Sequence, residues 1–145
     1  MDVTRLLRVL ITLIFVMTFI LIIVSVYRYD QELRSVSSLA DSTTSIVTRL
    51  SIQDLAWVDS LGDVHHYEVD PDKLDDLTYQ SNLGGVNVEF NVELSYKDSG
   101  VEQTLGPYGP TVPEGRMASA LNVPVAVQSS GRTIPAILKV RAWYA

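Results

Sequence analysis

The sequence predicts an α+β protein, in which a long N-terminal transmembrane and stalk helix precedes a small antiparallel β-sheet or β-sandwich domain. Two observations predict this fold class. All eight glycines and all six prolines of the 145-residue chain lie after residue 61, so the first part lacks the residues that most often interrupt regular structure. From Val86 onward, apolar and polar residues alternate over runs as long as a β-strand.

An uncharged apolar run, Val9 to Tyr27, predicts a membrane anchor within residues 1–28. A helix over this run is about 28 Å long, close to the hydrocarbon thickness of a bilayer. A cleaved signal peptide is the main alternative, but its apolar region usually has about 7–15 residues and is followed by small residues. Here Tyr27 and Arg28 follow instead. A buried core helix is disfavoured, because so short a chain cannot surround one.

The flanks of the anchor predict its orientation. Arginines lie on both sides, Arg5 and Arg8 before the run and Arg28 and Arg34 after it, so the positive-inside rule decides little. Only a few residues precede the run, whereas most of the chain follows it. We therefore predict a single-pass protein of the cell membrane, in contact with membrane lipid, with its N-terminus cytoplasmic and its C-terminal domain extracellular.

The helical pattern continues past the anchor as an amphipathic stalk over residues 29–52. From Ile22 to Leu50, apolar or small residues recur at alternating spacings of four and three, the a/d pattern of a heptad repeat, and Leu39 and Ile46 widen the stripe. This seam packs either on the chain's own β-domain or on like helices in an oligomer, and both can occur along one helix. The predicted helix-packing and oligomerisation residues are Tyr29, Leu33, Val36, Ala40, Thr43, Val47 and Leu50.

Residues 53–145 are predicted to form an extracytoplasmic antiparallel β-domain. Alternation and turn residues predict three hairpins. The predicted strands are Trp57–Val58, Val64–Val69, Val86–Tyr96, Val101–Leu105, Leu121–Val127 and Ile134–Tyr144.

Two connections within this domain have their own signals. Asp70 followed by Pro71 predicts the start of a short helix that runs through Leu77 and is stopped by Gly84. Residues 106–115 hold three glycines and three prolines, which predicts an irregular surface loop.

Composition excludes several classes of function. The chain has 17 acidic and 11 basic side chains and a net charge of −6, so nucleic acid is a poor partner. It has no cysteine, which excludes disulfides, thiolate metal sites and cysteine nucleophiles. The sequence also lacks the motifs of serine hydrolases, dinucleotide-binding folds and P-loops. We predict a protein that is not an enzyme and uses no cofactor.

The sequence gives only weak evidence for ligand-binding residues. The acidic cluster between Asp54 and Asp76 lacks the glycine and the terminal glutamate of a Ca²⁺ loop, so we interpret it as a solvated acidic face. His65 and His66 are adjacent on a predicted strand and should point to opposite faces, which disfavours a shared metal. Arg116 and Arg132, which flank the last hairpin, could hold an anion, but exposed arginines usually hold none.

The succession of apolar helix, amphipathic stalk and antiparallel β-domain resembles the plan of type IV pilin-like proteins, in particular the archaeal pilin-like and pseudopilin-like membrane proteins. The segments Ala120–Val127 and Pro135–Trp143 resemble the closing hairpins of that group. The family's basic-glycine cleavage site is not found, since Arg5-Leu6-Leu7-Arg8 contains no glycine. Its glutamate near the start of the apolar helix is not found either.

The resemblance implies a minor component or an assembly factor of a cell-surface filament or appendage. Its partners would be further copies of the chain or other pilin-like or membrane proteins. An alternative is a ligand-binding or sensory extracytoplasmic β-domain, with Trp57, Trp143 or the loop over 106–115 at the mouth of a pocket.

Overall fold

The computed structural model of the chain describes residues 2–145 and confirms the α+β class. One long helix precedes a curled, mixed sheet of seven strands. The chain forms two compact units, the first ending at Ser37 and the second comprising Ser38–Ala145. The second unit therefore includes the last turns of the helix, which the sequence predicts as part of a separate stalk ending at residue 52.

The first unit is helical and exposed. Helix α1 comprises Val3–Arg49, and its side chains up to Ser37 are exposed except for the half-buried Ser35. One stretch of this helix is long and apolar enough to cross a membrane, and none of that stretch is buried. The hydroxyls of Thr12, Thr18 and Ser25 each donate to the carbonyl oxygen four residues earlier, over 2.8–2.9 Å. The polar groups of the apolar run are thus satisfied within the helix, as a lipid environment requires.

The second unit begins with the buried end of α1. Leu39, Thr43, Ile46 and Val47 are its buried residues. The Thr43 hydroxyl donates to the carbonyl oxygen of Leu39 over 2.7 Å, so this buried polar group has a partner. A π-helical turn over Leu50–Asp54 follows and leads into the first strand.

The seven strands form one sheet in the order β1-β2-β6-β7-β4-β3, with β5 also paired to β4. All neighbouring pairs are antiparallel except β2 and β6, which run parallel through Glu68–Ala126 and Val69–Val127. This pair makes the sheet mixed, whereas the sequence predicts antiparallel strands alone. The strands are β1 Ala56–Val58, β2 Val64–Val69, β3 Gln80–Leu83, β4 Val86–Asp98, β5 Val101–Tyr108, β6 Ala118–Ser129 and β7 Arg132–Tyr144.

The core lies on one face of the sheet, here called the inner face, where the buried end of α1 and Leu74 join it. Alternation places every second side chain on this face. Burying each large apolar side chain contributes about 1.5–3 kcal/mol. The sheet contributes Val69, Val88, Phe90, Val92, Leu94, Val125, Val127, Ala136, Leu138, Val140 and Ala142.

The connection from β5 to β6 crosses the opposite, outer face. Because β4 and β7 lie between these two strands, residues 109–117 must pass over both. The buried Asn91 donates its amide to the carbonyl oxygen of Pro110 over 3.1 Å, and Arg116 Nη1 donates to that of Tyr144 over 2.6 Å. At Gly109, φ is 99°, and an added Cβ would lie 2.8 Å from the carbonyl oxygen of Phe90.

Two local predictions need correction. Asp70 does cap a helix, accepting from the backbone N–H of Asp72 over 3.1 Å, but this 3₁₀ helix ends at Leu74 rather than continuing past Leu77. Residues 80–83 form an edge strand, because Gly84 and Gly85, with φ of 62° and 86°, turn the chain back into β4. The predicted loop over 106–115 is shorter, because β5 continues to Tyr108.

Candidate functional site

The predicted helix-packing residues divide into two groups. Thr43, Val47 and Leu50 are 1%, 4% and 0% exposed and pack in the second unit. Tyr29, Leu33 and Val36 are 65%, 51% and 46% exposed, and Ala40 is exposed as well. The C-terminal part of the seam therefore packs within the chain's own domain. An oligomerisation role for the other four residues, here called the exposed helix face, stays a prediction.

Position along the helix accounts for most of this division, because Tyr29, Leu33 and Val36 precede Ser38, where the second unit begins. Within the second unit, the buried stripe includes Leu39 and Ile46, both 1% exposed, but not Ala40. Leu39 and Ala40 are adjacent in sequence, so their side chains point about 100° apart around the helix. The larger size of Leu39 and Ile46 was the sequence signal for this stripe.

Polar groups lie on the other side of the helix from the exposed helix face. Arg34 Nε lies 2.9 Å from Asp30 Oδ2 one turn away, an exposed ion pair that contributes about 0–1 kcal/mol. Gln31 Nε2 donates to the hydroxyl of Tyr27 over 2.9 Å. An apolar stripe opposite such groups is typical of a helix that packs its apolar side against another element.

The histidine pair lies at the surface near the β1–β2 turn, and its two rings have different partners. His65 Nε2 is 3.3 Å from Asp59 Oδ2, and His65 Nδ1 is 3.8 Å from Glu68 Oε2. The His65 ring packs against Trp57 at a tilt of 47°, with ring centroids 4.9 Å apart. His66 Nδ1 instead lies 3.2 Å from the carbonyl oxygen of Ile52. Within residues 2–145, no group of three or more potential ligands could hold a metal ion.

Members of the acidic cluster organise their own backbone. Asp59 Oδ1 accepts from the N–H groups of Leu61 and Asp63 over 2.8 and 2.9 Å, which closes the β1–β2 turn. The bond from Asp63 and then the bond from His65 hold the pKa of Asp59 below its usual value. Asp54 pairs with Arg49 over 2.9 Å. These carboxylates therefore act in turns and ion pairs of the fold.

The residues suggested for a ligand pocket do not come together at one. Trp143 is completely buried and donates its indole N–H to Glu89 Oε2 over 3.1 Å. Trp57 is half-buried against His65, and Arg116 is engaged with the carbonyl oxygen of Tyr144. The depressions on the β-domain are open surface grooves, such as the one beside Tyr96 and Ile137.

One strand of the sheet has an open edge that the sequence does not predict. β2 pairs with β6 only at Ala126 and Val127, and in the described part of the chain no strand pairs with the rest of that side of β6. This segment, Ala118–Pro124, is here called the open edge. Its sequence signal was a run without any charged residue from Met117 to Gly131.

Comparisons of the chain with protein-family models, with curated proteins and with solved structures give no match.

Proposed function

We propose that the chain is a non-enzymatic, membrane-anchored protein of pilin-like plan, a minor component or assembly factor of a cell-surface filament or appendage. In this proposal residues 1–28 anchor the protein in lipid with the N-terminus cytoplasmic. The exposed helix face contacts further copies or other pilin-like or membrane proteins, and the β-domain lies outside the cell.

The observation that carries the proposal is that the two ends of α1 have different surroundings. Its N-terminal stretch is uncharged, apolar and wholly exposed, which is unfavourable in water and favourable in a bilayer. Its C-terminal turns contribute Leu39, Thr43, Ile46 and Val47 to the β-domain. One helix thus serves both as anchor and as part of the domain it carries, which is the plan that the resemblance to pilin-like proteins implies.

A structural rather than catalytic role is supported by the state of the polar groups. The carboxylate and imidazole that lie closest together, Asp59 and His65, are at the surface, and Asp59 is occupied by backbone N–H groups of its own turn. Trp143 and Asn91, the buried polar side chains of the outer face, bond to Glu89 and to a backbone carbonyl. These groups are used to hold the fold.

Orientation is tested by labelling single cysteines, which the cysteine-free chain allows without background. Glu114→Cys and Thr4→Cys both place the thiol at an exposed position, one in the β-domain and one before the anchor. In intact cells a membrane-impermeant maleimide should label only the Glu114→Cys variant, and both should be labelled after lysis. Labelling of Thr4→Cys alone in intact cells would reverse the proposed topology.

The mass and N-terminal sequence of the native protein test the anchor and its processing. An intact Met1 start in the membrane fraction supports an uncleaved anchor and an assembly role. A start within residues 5–10 would indicate pilin-type processing and would favour incorporation into a filament. A start at Asp41 in the soluble fraction would mean secretion and would contradict the proposal.

A further inference from the structure

The prolines of the last hairpin reveal which backbone groups of β6 face outward. Pro124 lies in β6, and Pro135 of β7 lies opposite Ala126. Along an antiparallel ladder, cross-strand pairs whose residues hydrogen-bond to each other alternate with pairs that do not. Because proline has no N–H, it fits only at the pairs that do not. Pro124 is itself an even-numbered residue of β6, and Pro135 is paired with another, Ala126. The even-numbered residues of β6 therefore direct their N–H and C=O groups away from β7.

On the side of β6 that faces away from β7, these backbone groups pair with β2 only near the C-terminal end of β6. Tyr67, just before the paired residues Glu68 and Val69, has φ of 63°, and this left-handed conformation directs β2 away from an extended path. Pro124 offers no N–H to continue the parallel pairing. The outward groups of the open edge, on Ala118, Ala120 and Asn122, thus face no strand among residues 2–145, and these three residues are exposed.

Apart from Pro124 at its end, the open edge lacks the protection that the other edges have. Native proteins protect exposed edges with charges, prolines or short strands. The free side of β5 carries Glu102 and Pro107, and β1 and β3 have only three and four residues. In contrast, no charged side chain lies between Arg116 and Arg132. Since each copy carries a net charge of −6, copies repel each other least where the strand is uncharged.

We propose that the open edge pairs with the open edge of a second copy, antiparallel and about a two-fold axis at Ala120. Ala120 then faces its own counterpart, and Ala118 faces Asn122 of the second copy. Every outward N–H and C=O of these three residues is paired, and Pro124 ends the ladder. A second copy is the occupant that the charges favour, because two chains of net charge −6 repel each other least along strands without charged side chains.

Cross-linking of single cysteines tests both the partner and the register. Residues of a bonded antiparallel pair have Cα atoms about 5.5 Å apart, within reach of a short thiol cross-linker. In the full-length protein in mild detergent, Ala120→Cys should form covalent dimers by itself. Ala118→Cys and Asn122→Cys should do so only when the two variants are mixed. Thr104→Cys, on the free side of β5, is the matched control and should stay monomeric.

Placing charged residues at position 120 and measuring the dissociation constant of the dimer provides an independent test. Ala120→Lys places like charges opposite each other across the two-fold axis and should raise the dissociation constant roughly fivefold, as should Ala120→Glu. A mixture of the two variants should restore association, because residue 120 then faces an opposite charge. Thr104→Lys should leave the dissociation constant unchanged. Circular dichroism of each variant establishes that the β-domain is folded.

Several results would overturn the pairing. A monomer by sedimentation in every preparation would do so, and so would equal cross-linking at positions 104 and 120. A dimer that cross-links at Leu33→Cys but not at Ala120→Cys would assign the contact to the helix instead. None of these results bears on the anchor or its orientation, which the maleimide labelling tests separately.

Discussion

Trp143 donates its indole N–H to Glu89 Oε2 over 3.1 Å, across the β4–β7 pair, from a ring that is completely buried on the outer face of the sheet. Removing the acceptor would leave a buried donor without a partner. We therefore expect Glu89→Ala to lower the free energy of unfolding by about 1–3 kcal/mol. Glu89→Gln keeps a side-chain oxygen and should lower it less. Urea unfolding followed by tryptophan fluorescence measures both, and equal losses would contradict the role of this bond.

Gly109 is the tightest point where the β5–β6 connection crosses the outer face. Gly109→Ala would force a left-handed conformation on alanine and place its Cβ 2.8 Å from the carbonyl oxygen of Phe90 and 2.7 Å from the ring of Tyr79. The backbone strain alone should destabilise the domain by about 1–3 kcal/mol, and the close contacts should add to it. Gly115→Ala also has positive φ but meets nothing within 4 Å, so it should destabilise less. Thermal unfolding of the two variants gives the comparison.

The two groups of seam residues should respond differently to truncation. Ile46→Ala removes a side chain that is 1% exposed and should lower the free energy of unfolding by about 2–5 kcal/mol. Leu33→Ala removes one that is 51% exposed and should leave that free energy unchanged. If the exposed helix face contacts partners, Leu33→Ala should instead reduce co-purification of other membrane proteins. A large loss of domain stability in Leu33→Ala would contradict the division of the seam.

Asp59 makes stability depend on pH in the acidic range. Its pKa is lowered in the folded state, chiefly by the N–H of Asp63 and the His65 ring, so the ionised carboxylate stabilises the fold. This contribution is fully present above the unfolded-state pKa, near 3.8, and is lost as the pH falls through the lower folded-state value. The urea midpoint of Asp59→Asn should therefore lie below that of the unchanged protein at pH 6, and the two should converge as the pH falls below 3.8. A constant difference between them would contradict this origin.

Much of the fold is predictable because its signals are local. The alternation from Val86 predicts β4, and the turns at Asp98-Ser99-Gly100 and Ser130-Gly131 predict the hairpins that the structure contains. The missed strand, β3, is short and polar, and its pairing depends on backbone groups and on the turn at Gly84, so it leaves no apolar pattern. The parallel contact between Glu68 and Ala126 joins residues far apart in sequence, which no local period reports.

The exposed helix face and the open edge are likewise only partly predictable from local sequence patterns. The heptad spacing predicts a helix stripe, but the period alone does not tell which turns the chain's own domain will cover. Ala40 fits the repeat and is exposed, whereas Leu39 lies beside it and is buried. The open edge exists because β2 turns away from β6 at Tyr67, and this depends on the tertiary fold. The only sign of the edge in the sequence is the uncharged run.

The shared hydrophobic core of Leu39, Ile46 and Leu50 with residues of β4 and β7 has a consequence for biogenesis. The ribosome makes these helix residues first, but Leu138 and Val140 of the same core are made last. The core therefore cannot close until β7 has emerged, and contacts of such long sequence separation form slowly. Under the proposed orientation, the anchor would enter the bilayer while the β-domain is still unfolded. The domain would then fold only after translocation, with its apolar strands exposed to chaperones in the meantime.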